Sequence, residues 1–184
     1  WANPGEVPGN GVDDDGNGHP DDVHGWHFYQ RYDLGRAYPR DDADLSDPNG
    51  HGTHVAGIIG AAGDNGIGVA GVAWRARLMV VRVLDDDAVG WESDIVRGID
   101  YAVASGARVV NLSVGLEAAG PALAEAVERA EAAGVLVVAA AGNDGRTLAY
   151  PAALPTVLAV GASGRDGVRA AFSARGPELD LLAP

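Results

Sequence analysis

The chain has 184 residues, a hydrophobic content of 47%, no cysteine and a formal net charge of −13. The length fits a single soluble domain, and the lack of cysteine excludes disulfides and thiolate metal sites. The acidic excess argues against nucleic acid as a partner, because too few cations are available to neutralise phosphates. No apolar run approaches the roughly 18 residues of a membrane span, so no membrane partner is expected.

The negative charge is concentrated near the start of the sequence. Residues 1–50 carry eleven acidic residues against three arginines, a net −8, and the rest of the chain carries only −5. The run DDDGNGHPDD follows the pattern D-x-D-x-N-G-x-x-D, which supplies the oxygen ligands of a calcium loop. The predicted ligands of a structural calcium ion are Asp13, Asp15, Asn17, Asp21 and Asp22. His24 stands where such loops usually end in glutamate, and a solvated acidic turn is the alternative interpretation.

Beyond residue 50, helical patterns alternate with short apolar strand patterns. Helices are predicted over 51–62, over 93–106 with Ser93 as N-cap, and over 121–134 with Pro at the start and Gly at the end. Strands are predicted over 76–84, 108–114, 135–141 and 156–162. This alternation favours a three-layer α/β fold, a mainly parallel sheet with helices on both faces. Residues 1–48 are predicted to form an acidic calcium-loop region and residues 49–184 the α/β core.

Ligands of such sheets bind beyond the carboxyl ends of the strands, where Ser113 lies at the end of one predicted strand and Asn143 follows another. One glycine motif elsewhere is misleading. GIGVAG (66–71) satisfies the dinucleotide pattern G-x-G-x-x-G, which functions only after a strand and at the start of a helix. Here a predicted helix precedes the motif and a predicted strand follows it, so nucleotide binding is rejected.

Seven motifs in order resemble those of the subtilisin-like serine proteases (subtilases). They are GHGTHVAG, NGIGVAGVAW, VVNLSVG, VVAAAGNDG, YPA, VLAVGAS and AFSARGPELDLLAP. The resemblance covers residues 49–184, and the segment NPGEVPGNGVDDDGNGHPDDVHGW is similar to an acidic insertion found in some bacterial subtilases. It implies that His51 is the catalytic histidine, that Asn143 is the side-chain oxyanion donor, and that the fold is subtilisin-like.

The chemistry of these two residues agrees with the implied roles. Imidazole can act as general base toward a serine hydroxyl near neutral pH, and an amide N–H can stabilise a developing oxyanion. His51 and His54 could instead share a metal ion, but H-E-x-x-H glutamate and a third ligand are both missing, which favours the general base. His54 is expected to pack, and His19, His24 and His27 are expected to be structural.

The resemblance also implies a polypeptide substrate bound as an extended strand. The segments implied to hold it are Ala88-Val89-Gly90, Ser113-Val114-Gly115 and, along the main pocket, Ala140-Ala141-Gly142. The expected protein is a secreted or otherwise extracytoplasmic monomer that hydrolyses peptide bonds through an acyl-enzyme.

Two family features are missing from these residues. The nucleophile motif G-T-S-x-A-x-P does not occur, and no buried strand ends in the triad aspartate before the acidic loop. We therefore expect a catalytic domain truncated at both ends and inactive by itself. Two alternatives are a non-catalytic, calcium-stabilised peptide-binding module and a calcium-stabilised interaction domain, although His51 and Asn143 count against the second.

Overall fold

The structure, a computed structural model, describes residues 1–33 and 36–184. It divides into two compact units, Trp1–Asp94 and Ile95–Pro184. None of the described helices has both the length and the apolar character needed to span a membrane.

The first unit contains a parallel strand pair, an antiparallel hairpin and one complete helix. Its elements are β1 (Gly25–His27), β2 (Gln30–Asp33), β3 (Arg36–Pro39), α1 (His51–Gly60) and β4 (Val80–Arg82). Strand β1 pairs in parallel with β4, and β2 pairs antiparallel with β3. Trp26 and Phe28 are buried, and the ring of His19 packs against both at 4.9 and 5.6 Å between centroids. Thus part of the acidic region itself enters a parallel sheet.

The second unit is built on a four-stranded parallel sheet. Helix α2 (Glu92–Ala104) begins just before the unit boundary, and the later elements are β5 (Val109–Leu112), α3 (Pro121–Ala132), β6 (Leu136–Ala140), β7 (Leu158–Ala162) and β8 (Leu181–Ala183). The strand order is β5-β6-β7-β8, with every neighbouring pair parallel. The buried face of α3 carries Leu123, Ala126, Val127 and Ala130, and this helix contacts β6. Parallel strands alternating with helices confirm the predicted α/β class.

Every predicted helix and strand beyond residue 50 is present in a shorter form. Helix α3 starts at Pro121 as expected, since proline suits the first helical position. The predicted N-cap of α2 is wrong: the helix starts at Glu92, so Ser93 lies inside the first turn. The Ser93 hydroxyl instead accepts a hydrogen bond of 2.7 Å from Gln30, while Glu92 and Asp94 place negative charge in that turn.

The glycine motif at 66–71 lies between α1 and β4, as the rejection of nucleotide binding requires. Gly71 donates its N–H to the carbonyl of Ala61 at 2.9 Å, so the motif returns against the C-terminal end of α1. Its role among the described residues is to close a loop after a helix.

Candidate active site and acidic loop

His51 is the first residue of α1, and its side chain is exposed. The preceding Gly50 has a φ of 83°, in the left-handed region, and provides no side-chain cap. Within the described residues no carboxylate is hydrogen-bonded to the His51 ring. The imidazole is therefore accessible to solvent, and among the described residues no carboxylate orients it.

Asp47 supplies the cap that Gly50 lacks. Its carboxylate accepts hydrogen bonds from the Gly50 N–H at 2.8 Å, and from the Thr53 N–H and the Thr53 hydroxyl at 2.7 Å each. The bonds from the Thr53 N–H and hydroxyl lower the pKa of Asp47 below its ordinary value of 3.8. The carboxylate thus binds amides at the positive end of the helix that begins with His51.

The segment Ala88-Val89-Gly90 forms a tight turn held by Asp85. The Asp85 carboxylate accepts the Val89 N–H at 2.9 Å, and the Asp85 N–H donates to the Val89 carbonyl at 2.8 Å. Val89 is 63% exposed, and Ala88 has a φ of 61°, which is strained for a residue with a side chain. The backbone groups of Val89 are thus engaged, and the Ala88 N–H donates to the Asp85 carbonyl at 3.1 Å, so these turn bonds do not use the Ala88 carbonyl or the backbone of Gly90.

In the second unit, the two predicted substrate segments converge on one alanine. The bridge between Leu116 and Tyr150 follows Ser113-Val114-Gly115, and the Ala149 N–H donates to the Ala141 carbonyl at 2.9 Å. A Cβ added to Gly115 or Gly142 would lie 3.4 or 3.3 Å from the Cβ of Ala149. Ala149 therefore separates the 113–115 segment from the Ala140-Ala141-Gly142 wall.

Asn143 follows strand β6 by three residues and is exposed. The preceding Gly142 has a φ of 114° and accepts a hydrogen bond from the Ala174 N–H at 2.9 Å. This turn directs the chain out of the sheet, at the carboxyl end where ligands of parallel sheets bind.

The acidic loop is organised largely by carboxylates that accept backbone N–H groups. Glu6 is only 8% exposed and accepts from Asp14, Asp15 and Asp21 at 2.9 to 3.4 Å. Asp13 accepts from three consecutive amides, 16 to 18, at 2.8 to 3.0 Å. Carboxylate oxygens of Glu6, Asp13 and Asp15 lie within 4.8 Å of one another.

The other three predicted ligands have different surroundings. Asp21 accepts the N–H groups of residues 9 to 11 at 2.6 to 3.1 Å, which orients it toward that turn. Asp22 is fully buried and accepts from the amides of Asn3 and Asn17 at 2.5 and 3.0 Å. The structure thus brings Asp13 and Asp15 together with Glu6, and Asn17 adjoins them through its bond of 3.3 Å to Asp15.

Sequence reasoning missed Glu6 and Ala149. Glu6 lies upstream of the recognised loop pattern. The sequence offers one signal for it: the loop lacks the glutamate that usually ends such patterns, and Glu6 is an acidic residue between Gly5 and Pro8. Ala149 precedes the motif YPA (150–152) without being part of it, and its closeness to Gly115 and Gly142 arises only in the folded chain.

The remaining histidines have the following surroundings. His24 Nδ1 lies 3.1 Å from the Trp1 carbonyl, and His27 Nδ1 lies 3.1 Å from Asp42 Oδ1. The His27 ring also stacks on Tyr29 at 5.6 Å. These contacts and the His19 packing agree with structural roles, whereas His54, expected to pack, is exposed in the structure.

Comparison with known proteins shows extensive similarity to subtilisins. Subtilisin DY of Bacillus licheniformis is 44% identical over 155 residues, which are 82% of this chain and 56% of that protein. Subtilisin E of Bacillus subtilis (strain 168) is 44% identical over 151 residues, 79% of this chain and 39% of that protein. The chain spans about half the length of these relatives or less.

Solved structures agree with this similarity. The protease domain of PatA matches with a TM-score of 0.67 and 41% identity, over 73% of this chain and 51% of that one. Prenylagaramide maturation protease PagA matches with a TM-score of 0.68 and 39% identity, over the same shares. The model of the subtilase family matches residues 11–184. With this match over most of its length and the parallel α/β fold, the chain belongs to the subtilase family.

Proposed function

We propose that this chain is the central part of a serine endopeptidase in which His51 is the general base. The observation that carries the proposal is the family match across residues 11–184 together with His51 exposed at the first position of α1. In the proposed reaction, His51 takes the proton of a serine hydroxyl as it attacks a peptide carbonyl. It then returns the proton to the leaving amine, and the acyl-enzyme is hydrolysed by water.

Asn143 is proposed as the side-chain donor to the oxyanion. Its exposed amide, at the turn after β6, can donate a hydrogen bond to the carbonyl oxygen as negative charge develops there. The nucleophile and the triad aspartate are proposed to lie outside residues 1–184, because these residues contain no G-T-S-x-A-x-P motif and no described carboxylate is bonded to His51.

The substrate is proposed to be a polypeptide bound as an extended strand. Ala88 and Gly90 offer backbone groups in the first unit, while 113–115 and 140–142 border Ala149 in the second. Backbone pairing would provide affinity with little demand on sequence. A secreted or otherwise extracytoplasmic, monomeric bacterial enzyme is the form proposed, and the Bacillus origin of the two relatives supports its bacterial source.

A structural calcium ion is proposed in the acidic loop. Glu6, Asp13 and Asp15 offer hard oxygen ligands whose mutual distances fit a single ion, and Asn17 adjoins them. Residues 1–30 contain six carboxylates and no arginine or lysine, so the chain itself offers no cationic side chain there to offset their repulsion. When bound, the ion would order the loop and take no part in the chemistry.

A direct test compares purified residues 1–184 with a longer chain that carries the rest of the catalytic domain, using a chromogenic peptide. The longer chain should hydrolyse the peptide and residues 1–184 should not, because nucleophile and orienting acid are both needed for more than residual catalysis. Hydrolysis by residues 1–184 that a serine-directed inhibitor abolishes would place the nucleophile inside them. Peptide binding without hydrolysis by the longer chain would instead support a non-catalytic binding module.

A further inference from the structure

Arg82 is the last residue of β4, and its side chain is only 14% exposed. Its backbone is fixed in the sheet: it pairs with His27 in the parallel register, and its carbonyl accepts the Phe28 N–H at 2.8 Å. A guanidinium that extends from the end of a strand and is largely shielded from water has a restricted position. Its hydrogen bonds therefore show which segments it holds together.

The guanidinium contacts two separate loops of the first unit. Nη1 donates to the Ser46 carbonyl at 2.8 Å, and Nη2 donates to Asp86 Oδ1 at 2.5 Å. Nε donates to the Leu84 carbonyl at 3.1 Å, which holds the fork at the start of the second loop. A further bond joins the same loops, because the Asn49 amide donates to the Asp86 carbonyl at 3.4 Å.

Each loop leads directly to a residue group of the proposed site. Ser46 is followed by Asp47, whose carboxylate caps the helix that begins with His51. Asp86 belongs to the turn in which Asp85 holds Val89, between the two residues proposed to pair with substrate. Arg82 therefore connects the loop that caps the His51 helix to the turn that carries the segment Ala88–Gly90.

The charges around Arg82 support this connection. Hydrogen bonds from Ser46 are the main cause that lowers the pKa of Asp44, and hydrogen bonds from Thr53 and then Gly50 are the main causes for Asp47. The positive charge of Arg82 lowers both pKa values further. The first loop and the turn at 85–87 are rich in aspartate, so without a central cation they would repel each other.

We propose that Arg82 is a positioning residue that fixes the substrate edge Ala88–Gly90 relative to His51. The proposal rests on the proposed function for the roles of His51 and of this edge. The planar guanidinium is essential to it, since lysine offers a point charge and cannot hold the Ser46 carbonyl, the Leu84 carbonyl and Asp86 in one rigid fork.

The kinetic test uses the longer chain that carries the rest of the catalytic domain, called the longer protease below. It compares a hexapeptide substrate with a single-residue ester. Arg82→Gln should raise KM for the hexapeptide about tenfold, while KM for the ester changes less than twofold, because only the peptide pairs with the edge Ala88–Gly90. Arg82→Lys should recover little of the loss. Simple destabilisation would lower kcat equally for both substrates and leave KM unchanged, so that result, or full recovery with lysine, would overturn the proposal.

Hydrogen exchange on residues 1–184 tests the connection without activity. Arg82→Gln should increase exchange at the Gly50 and Thr53 amides and at the Val89 amide together. Arg129→Gln is the matched control, since it removes a guanidinium bonded to Asp100 at 2.8 Å and should leave these amides unchanged. If only one loop responds, or neither does, Arg82 does not connect them. An inactive longer chain with the coupled exchange response would refute the proposed function alone.

Discussion

At the scale of single residues, the two proposed catalytic side chains share one local device. Gly50 and Gly142 have φ values of 83° and 114°, a conformation that residues with side chains rarely adopt, and they directly precede His51 and Asn143. At Gly142 an added Cβ would also lie 3.3 Å from Ala149. Each proposed catalytic side chain therefore directly follows a backbone conformation that only glycine accommodates easily.

The role proposed for Asn143 predicts a specific kinetic change. Asn143→Leu in the longer protease should lower kcat by about 10²–10³ with little change in KM, because the hydrogen bond forms mainly in the transition state. That range was established with a subtilisin and is carried over from that relative. Steady-state kinetics on a peptide substrate would check it, and an effect confined to KM would show that Asn143 only binds substrate.

At the scale of elements, helix α1 depends on a cap three residues before its N-cap position. Asp47 binds the Gly50 and Thr53 amides, and the helix has neither an acidic residue in its first turn nor a buried residue. The carboxylate of Asp47 is thus expected to stabilise the first turn of α1, in which His51 lies.

Acid should release this cap. Because the folded-state pKa of Asp47 lies below its ordinary value, its stabilising effect is complete above that value of 3.8 and is lost as the pH falls through the folded-state pKa. Asp47→Asn should therefore lower the melting temperature at pH 6 and make it less sensitive to acid between pH 5 and pH 2.5. Thr53→Val removes one of the three donors and should show a smaller effect. Identical acid sensitivity in wild type and Asp47→Asn would contradict the assignment.

The elements differ in how well their sequence predicts them. The helices and most strands beyond residue 50 follow from periodicity, including the three-residue β4, which lies within the apolar run 76–84. Strands β1 and β8 were not predicted, because each has three residues and no such run around it. The proposed roles of His51 and Asn143 can be read from the sequence, because each residue lies in a local family motif. The roles proposed for Glu6 and Arg82 cannot, because they come from partners such as Ser46, 36 residues from Arg82 along the chain.

At the scale of the whole molecule, negative charge is distributed unevenly along the chain, and it is most concentrated in the acidic loop. The loop folds by turning carboxylates toward backbone N–H groups, which satisfies donors but leaves the negative charges close together. A bound cation would offset that repulsion in the folded state alone. The stability of the protein should therefore depend on calcium.

If the acidic loop binds calcium, adding calcium should raise the melting temperature, and the rise should depend on the carboxylates of the loop. A ligand at a hundredfold excess over its Kd would add about 2.7 kcal/mol to the free energy of unfolding. Glu6→Gln, and Asp13→Asn with Asp15→Asn, should each reduce the calcium-dependent rise in the longer protease. For each variant the melting temperature is measured with calcium and with chelator, and the difference is compared. This difference separates calcium binding from the loss of hydrogen bonds that the substitutions also cause. Glu117→Gln, at an exposed carboxylate, is the control. A full rise in the Glu6 and Asp13/Asp15 variants would place the ion elsewhere, with the Asp64-Asn65 loop next in line.

The central claim is that His51 activates a serine that lies outside residues 1–184. It is tested most directly by labelling the longer protease with a fluorophosphonate and mapping the modified residue by mass spectrometry. We predict a single labelled serine outside residues 1–184, with labelling abolished by His51→Gln and retained in His54→Gln, its neighbour on the same helix. A label on any of the serines at 46, 93, 105, 113, 163 or 173, or undiminished labelling in His51→Gln, would contradict it.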